Sequence, residues 1–281
     1  MQGGCGGRPT RDGIDGVNFS AGSLRNVPTE SIELEAPVFV RRYMLADGVA
    51  PGRHRGGAGV VFDFQVNAPN TIITARGMER FHVRPWGRKG GAPGGLGQSV
   101  VNPGTREERA IGKIDVLKLE PGETVRIVSP GGGGYGDPFE RDPELVRRDV
   151  ANGFVTPDEA AERYGVVLRD GAVDAGETRR RRERRASVAA EVDFGAERDA
   201  YERRLPPAVQ DAVAAELLGH PGSYRHFLKE QAYAALEANG PADLDPVALR
   251  ERVRAILKSI QLGAAAERGA REDARGPAPA P

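Results

Sequence analysis

The side chains that could carry chemistry are few and scattered. Four histidines are present, His54, His82, His220 and His226, and no pair has the spacing of a metal motif. There is no His-Glu-x-x-His and no carboxylate–histidine cluster. Ser99 and Ser129 lack a nearby base, and no Gly-x-Ser-x-Gly elbow occurs. Cys5 is the only cysteine, so an intramolecular disulfide and a cysteine-based zinc site are both ruled out. The densest polar patch is a loop with Arg80, His82, Arg84, Arg88 and Lys89 around Trp86. Guanidinium groups beside an indole suit a carboxylate or the acidic surface of a partner. A solvated charged loop anchored by Trp86 would read the same way. Arg80, His82 and Trp86 are the candidates for lining a pocket; catalytic, cofactor-binding and metal residues are not legible.

Glycine carries the second signal. Gly131 to Gly134 are consecutive, followed by Tyr135-Gly136-Asp137-Pro138. Such a run packs no side chain and loses the most backbone freedom on ordering, so it fits a hinge or a close backbone approach. The fixed order of an apolar strand, glycines, tyrosine and a helix start argues against a random tether. The run matches neither Gly-x-x-x-x-Gly-Lys-Ser/Thr nor a dinucleotide fingerprint.

The elements that must position these residues divide the chain. Of 38 glycines, 29 lie before residue 166. This shift predicts an α+β chain: an antiparallel β-rich N-terminal region with a helical C-terminal region. Residues 1–30 read as irregular, cut into rather than capped. Residues 31–138 read as the β-rich domain, with Ser31–Leu45 as the first strand region. In Val60–Val66, Phe62, Phe64 and Val66 alternate with Val61, Asp63 and Gln65, a half-buried strand. Thr71–Ala75 reads as its hairpin partner across Asn67–Asn70. Ile111–Leu119 and Thr124–Val128 are two more strands, with the type II pair Pro121-Gly122 between them.

Residues 139–175 read as a helical hairpin. Asp142-Pro143 opens one helix, and Thr156-Pro-Asp-Glu159, a capping box, opens the next. Val166–Leu168 is a further short strand. Residues 176–262 read as a helical extension with helices at Ala196–Leu218 and Tyr224–Ala238, then one capped by Asp245-Pro246. In the last, Leu249, Val253, Ile256, Leu257 and Ile260 form one stripe that needs a partner, in the core or on another subunit. Thr178–Arg185 is basic without interleaved aromatics, which favours a solvated helix face over nucleic acid. Residues 263–281 read as a disordered tail.

Lysine plus arginine and aspartate plus glutamate are equal at 40 each, so no global charge draws nucleic acid or anionic membrane. No apolar run approaches the roughly 18 residues of a membrane span. The start, Met-Gln-Gly-Gly-Cys-Gly-Gly, is not a signal peptide. The expectation is a cytoplasmic chain.

Several segments together resemble the C-terminal part of the hydantoinase B/oxoprolinase family, which also includes subunits of acetone and acetophenone carboxylases. They are Asp12-Gly13…Asp15-Gly16-Val17, Asn26-Val-Pro-Thr-Glu30, Gly52-Arg-His-Arg-Gly-Gly-Ala-Gly59 and Pro85-Trp-Gly87 with Gly90-Gly91 and Gly94. Asn102-Pro103-Gly104, Leu119-Glu-Pro-Gly-Glu123 and Pro130–Pro138 follow in order, then Arg141-Asp-Pro-Glu and Tyr164-Gly165-Val166. The resemblance runs from about residue 8 to about residue 175. It implies a hydrolase subunit, inactive alone, acting on cyclic amides such as hydantoins or 5-oxoproline with ATP activating the substrate. It implies an A-type ATP-binding subunit and a chain carrying the missing front half as partners. This chain alone would bind no cofactor; ATP and a divalent metal would sit on partner chains. The family's metal-holding Gly-Gly-Thr-His stretch is absent here. A ketone carboxylase subunit and a non-catalytic assembly module are the alternatives.

Overall fold

The structure is a computed structural model. It describes residues 3–17, 27–74, 79–112, 116–184, 191–239 and 246–273. The chain forms two compact units, residues 1–198 and 199–281. The architecture is α+β, with antiparallel strands first and helices after.

The first unit is built on β1 (Val38–Leu45), β2 (Val60–Val66), β5 (Gln98–Val101), β6 (Arg109–Ala110) and β8 (Thr124–Val128). They form one antiparallel sheet in the order β1-β2-β8-β5-β6. Phe64 stands opposite Val125, which stands opposite Val101. These residues and Val66 form a core under a two-stranded ribbon of β3 (Thr71–Thr74) and β7 (Val116–Leu119), which adds Leu117 and Leu119. On the other face Asp63 is buried because Arg126, its register partner, forks onto it at 2.9 and 2.7 Å.

The period-two reading of Val60–Val66 and the limits of Thr124–Val128 match the structure. The proposed hairpin across Asn67–Asn70 does not form. β2 already pairs on both edges, with β1 and β8, so β3 pairs with β7 instead. Ala75 and residues 113–115 lie outside the described residues. Gly122, at φ +95°, closes the turn in which the Glu123 N–H donates to the Glu120 carbonyl, as the Pro-Gly pair predicts.

Residues 31–35 are not strand. Thr29–Glu35 is α1, whose Glu33 side chain accepts the Val40 N–H at 2.7 Å. The alternation of Ile32 with Leu34 misleads because α1 buries no residue and its period is not tested by packing.

After the glycine run, α2 (Pro143–Ala151) and α3 (Pro157–Tyr164) start where their caps predict. The Asp142 carboxylate accepts the Glu144 N–H, and Thr156 and Glu159 cap reciprocally. Val146, Ala160 and Tyr164 pack against Val49 and Ala58. The short strand expected at Val166–Leu168 lies further on: β9 (Leu168–Arg169) and β10 (Ala172–Val173) make a hairpin across Asp170-Gly171, both at positive φ. The basic run lies largely on α4 (Ala175–Glu183), which is helical with mostly exposed arginines. Two strands of two residues, β4 (Gly87–Arg88) and β11 (Val192–Asp193), pair with each other.

The second unit holds α6 (Pro207–Leu217), α7 (Gly222–Asn239) and α8 (Pro246–Asp273). The helix expected over Ala196–Leu218 breaks in two. Between α5 (Ala196–Arg204) and α6 lie Leu205 and Pro206, and α6 opens on Pro207; the two prolines lack an N–H and disfavour helical backbone before them. Leu249, Val253 and Leu257 are buried against Val213, Leu228 and Leu236, with Ile256 and Ile260 partly buried, so the stripe packs inside this unit. Residues 263–273, placed in the tail from sequence, carry helical backbone.

Candidate functional site

The glycine run is the centre of a bundle of backbone. Gly132 N–H donates to the Gly57 carbonyl at 2.9 Å and Gly134 N–H to the Ala92 carbonyl at 2.8 Å. The Gly133 carbonyl accepts from Gly7 at 2.8 Å and the Gly134 carbonyl from Arg88 at 3.0 Å. His54 and Tyr135 exchange both of their backbone bonds at 2.9 Å. Four segments, residues 3–7, 50–59, 85–95 and 130–136, thus lie side by side at distances no side chain tolerates. A Cβ on Gly132 would stand 1.9 Å from the Cys5 carbonyl oxygen, and one on Gly134 1.9 Å from that of Pro51. Gly132 and Gly134 spend their N–H groups on other backbone, so these two glycines act as a packing device.

A buried ion cluster closes one side of the bundle. Arg141 forks onto Asp12 with both terminal nitrogens at 2.7 Å and reaches Asp149 at 2.9 Å. Arg55 bonds Asp149 at 3.1 Å and forks onto Asp15 at 2.8 and 3.1 Å, and its guanidinium lies 4.6 Å from the centre of the Phe154 ring. Asp12 also accepts the Arg55 N–H and Asp15 the Ala58 N–H. Burial alone would raise the Asp12 pKa; the hydrogen bond and charge of Arg141, with Arg55, outweigh it and hold it below the ordinary value. Tyr164, beside this cluster, is pushed up by burial, and its hydroxyl has no hydrogen-bond partner among the described residues. Asp12 and Arg141 meet across 129 positions of chain, and no local spacing reveals the cluster. Arg55 and Arg141 go unremarked in the sequence except inside longer motifs.

Of the three pocket candidates, the structure brings two together. The Arg80 guanidinium lies 5.3 Å from the centre of the Trp86 ring, and Trp86 stands edge-on to Phe194 at 6.1 Å. Trp86 is half exposed, and His82 is exposed on the same loop. None of the three lines the neighbouring cavity of about 340 Å³, which is bounded by Asp47, Arg84, Gln98, Ser129, Arg163 and the Gly131 backbone. Arg84 is held there by Glu197 at 2.8 Å and the Gly94 carbonyl at 3.2 Å. The lining includes no histidine or cysteine among the described residues. His54 is engaged elsewhere, its Nδ1 3.9 Å from Asp12. The arrangement can hold a small polar molecule against cations, but supplies no nitrogen base beside it.

Among the described residues no group of three or more His, Cys, Asp or Glu is placed to hold a metal ion. No helix among them is long and apolar enough to cross a membrane.

Glycine-packed backbone and an antiparallel sheet thus frame a small polar cavity. Residues 1–138 match the family model described as hydantoinase B/oxoprolinase, and that region of the chain belongs to the family. It is 35% identical over 173 residues to the B subunit of a putative D-/L-hydantoinase from Pseudomonas sp. (strain NS671), covering 60% of this chain and 29% of that protein. It is 33% identical over 153 residues to the β subunit of caprolactamase from Pseudomonas jessenii, covering 52% of this chain and 26% of that one. A likeness in fold alone, at 18% identity and TM-score 0.50, covers 82% of this chain and 34% of a chain in the nucleotide-free structure of acetone carboxylase. The chain spans under a third of the length of the curated relatives named here.

Proposed function

We propose that this chain is the C-terminal portion of the B-type subunit of an ATP-dependent hydrolase of cyclic amides, forming a pocket wall and part of a subunit interface. The observation that carries it is the family match over residues 1–138. Relatives named for hydantoin, caprolactam and 5-oxoproline have a cyclic amide in common. Amide resonance makes that carbonyl a poor electrophile; transfer of a phosphoryl group from ATP to its oxygen turns the oxygen into a leaving group. Water then adds at the carbon, the ring C–N bond breaks as the nitrogen takes up a proton, and a second water cleaves the resulting acyl phosphate to carboxylate and inorganic phosphate. Here the chain's own residues shape and exclude water: the glycine bundle fixes the wall, and Arg84 and Arg163 set its charge. ATP and a divalent metal belong to partner chains, an A-type subunit and the front portion of the B-type subunit, in the cytoplasm.

The test is reconstitution with both partners and assay of hydantoin, 5-oxoproline and caprolactam. ATP-dependent ring opening supports the reading. Bicarbonate-dependent ATP consumption with a ketone instead would make the complex a carboxylase and overturn it.

A further inference from the structure

β1 is an edge strand of the large sheet, and its second half is uncovered. Tyr43 and Leu45 face the same side as the core, opposite Phe62 and Val60, yet each remains 38% exposed. Tyr43 and Phe62 meet edge-on at 5.4 Å, and Phe62 tilts against Phe64 at 5.3 Å, so the apolar core runs outward onto an open shelf. Gly16 lies against the shelf, where a Cβ would stand 3.2 Å from Leu45 and 3.3 Å from Val60, and the next residue along the chain, Val17, is 39% exposed. The first half of β1 is closed off. Glu33 takes the Val40 N–H, a bulge breaks the register between Val40 and Arg42, and Arg41 bonds Gln65. Charges and bulges of this kind block strand edges; the Tyr43–Leu45 end lacks them.

Two further observations say what covers the shelf. The relatives carry more than twice as much chain outside the matched stretch as within it. The start of the described chain lies at the same end of the sheet. Gly4 N–H donates to the Pro130 carbonyl at 2.9 Å, and Ser129, the residue before, is bonded to Val60, the register partner of Leu45. Polypeptide joined or docked near residue 3 therefore begins beside this shelf.

We infer that Tyr43, Leu45, Phe62 and Val17 form the seat for an apolar segment of the front portion of the B-type subunit. This rests on the proposed function above. Apolar surface of this kind, rimmed by the charges of Arg41 and Arg42, marks an interaction site. Aromatic anchors at its centre carry most of the affinity in such contacts.

The experiment compares the full chain alone with the full chain co-purified with the front portion of a B-type subunit, using hydrogen exchange and titration. Peptides over residues 42–46 should exchange at least about tenfold more slowly in the complex, because paired or covered strand amides open rarely. Tyr43→Asp with Leu45→Asp should weaken assembly by about 30-fold or more, as loss of an interface anchor does. Ile72→Asp, at an exposed position on β3, should assemble like the unchanged chain. If the double variant fails to fold, the exchange comparison on the unchanged chain still decides. A complex that assembles and turns over without protection at 42–46 overturns the seat and leaves the proposed function standing. Failure of any front portion to bind overturns both, and protection of 42–46 by a second copy of this chain overturns the seat.

Discussion

Arg141 places its two terminal nitrogens on the two carboxylate oxygens of Asp12, both at 2.7 Å, across 129 residues of chain. Arg141 is 1% exposed, and the same guanidinium serves Asp149 on α2. One side chain thus ties Asp12, which follows the first segment of the bundle, to α2.

Removing that guanidinium takes the charged partner from Asp12 and one of two from the buried Asp149, which keeps Arg55. Breaking a buried pair costs about 3–5 kcal/mol. Asp12 is partly exposed, so Arg141→Ala should lose about 3 kcal/mol in urea unfolding, the low end of that range. Arg147→Ala, whose partner Glu144 is exposed, should lose under about 1 kcal/mol.

The cluster also sets an acid limb. The Asp12 pKa lies below its ordinary 3.8 in the folded chain, so its contribution is fully present above 3.8 and is lost as pH falls through the lower folded value. Thermal scans should show stability falling at acid pH, and Asp12→Asn should flatten that fall while lowering stability at neutral pH. An unchanged acid limb in Asp12→Asn would contradict the assignment.

Glycine in the bundle is a matter of distance. Gly132→Ala and Gly56→Ala each push a methyl to within 1.9 Å of a carbonyl oxygen, so each should cost about 3 kcal/mol or more in thermal unfolding. Gly95→Ala meets nothing nearer than 3.9 Å and should stay within about 0.5 kcal/mol.

Local chemistry explains what the sequence showed and what it hid. The caps at Asp142 and Thr156 are read from neighbouring residues, and α2 and α3 start there. Val60–Val66 shows its period because one face is core. Strands of two residues, such as Gly87–Arg88 and Val192–Asp193, are defined only by a distant partner. The β9–β10 hairpin had a usable signal, Asp170-Gly171, that the apolar run before it obscured. The Arg55–Arg141 cluster had none: its members are ordinary charges until folding removes their water. In the patch at residues 80–89, residue types pointed to Arg80, His82 and Trp86, whereas Arg84 of the same loop is the one that turns into the cavity.

Trp86 and Arg84 separate stability from site. Trp86 is half exposed, so Trp86→Ala should change stability by less than about 1 kcal/mol. Arg84→Lys keeps charge but gives up the fork that holds Glu197 and the Gly94 carbonyl. If the cavity is the pocket wall, Arg84→Lys in the reconstituted complex should raise the KM for the cyclic amide, measured by ring opening at varied substrate, with unfolding little changed.

The most direct measurement is an omission experiment: ADP release and ring opening from a cyclic amide by the A-type subunit and the front portion of the B-type subunit, with and without this chain. The account predicts ADP and opened ring in step when the chain is present and neither above background when it is left out. Equal turnover without the chain, or ring opening by the chain purified by itself, would contradict it.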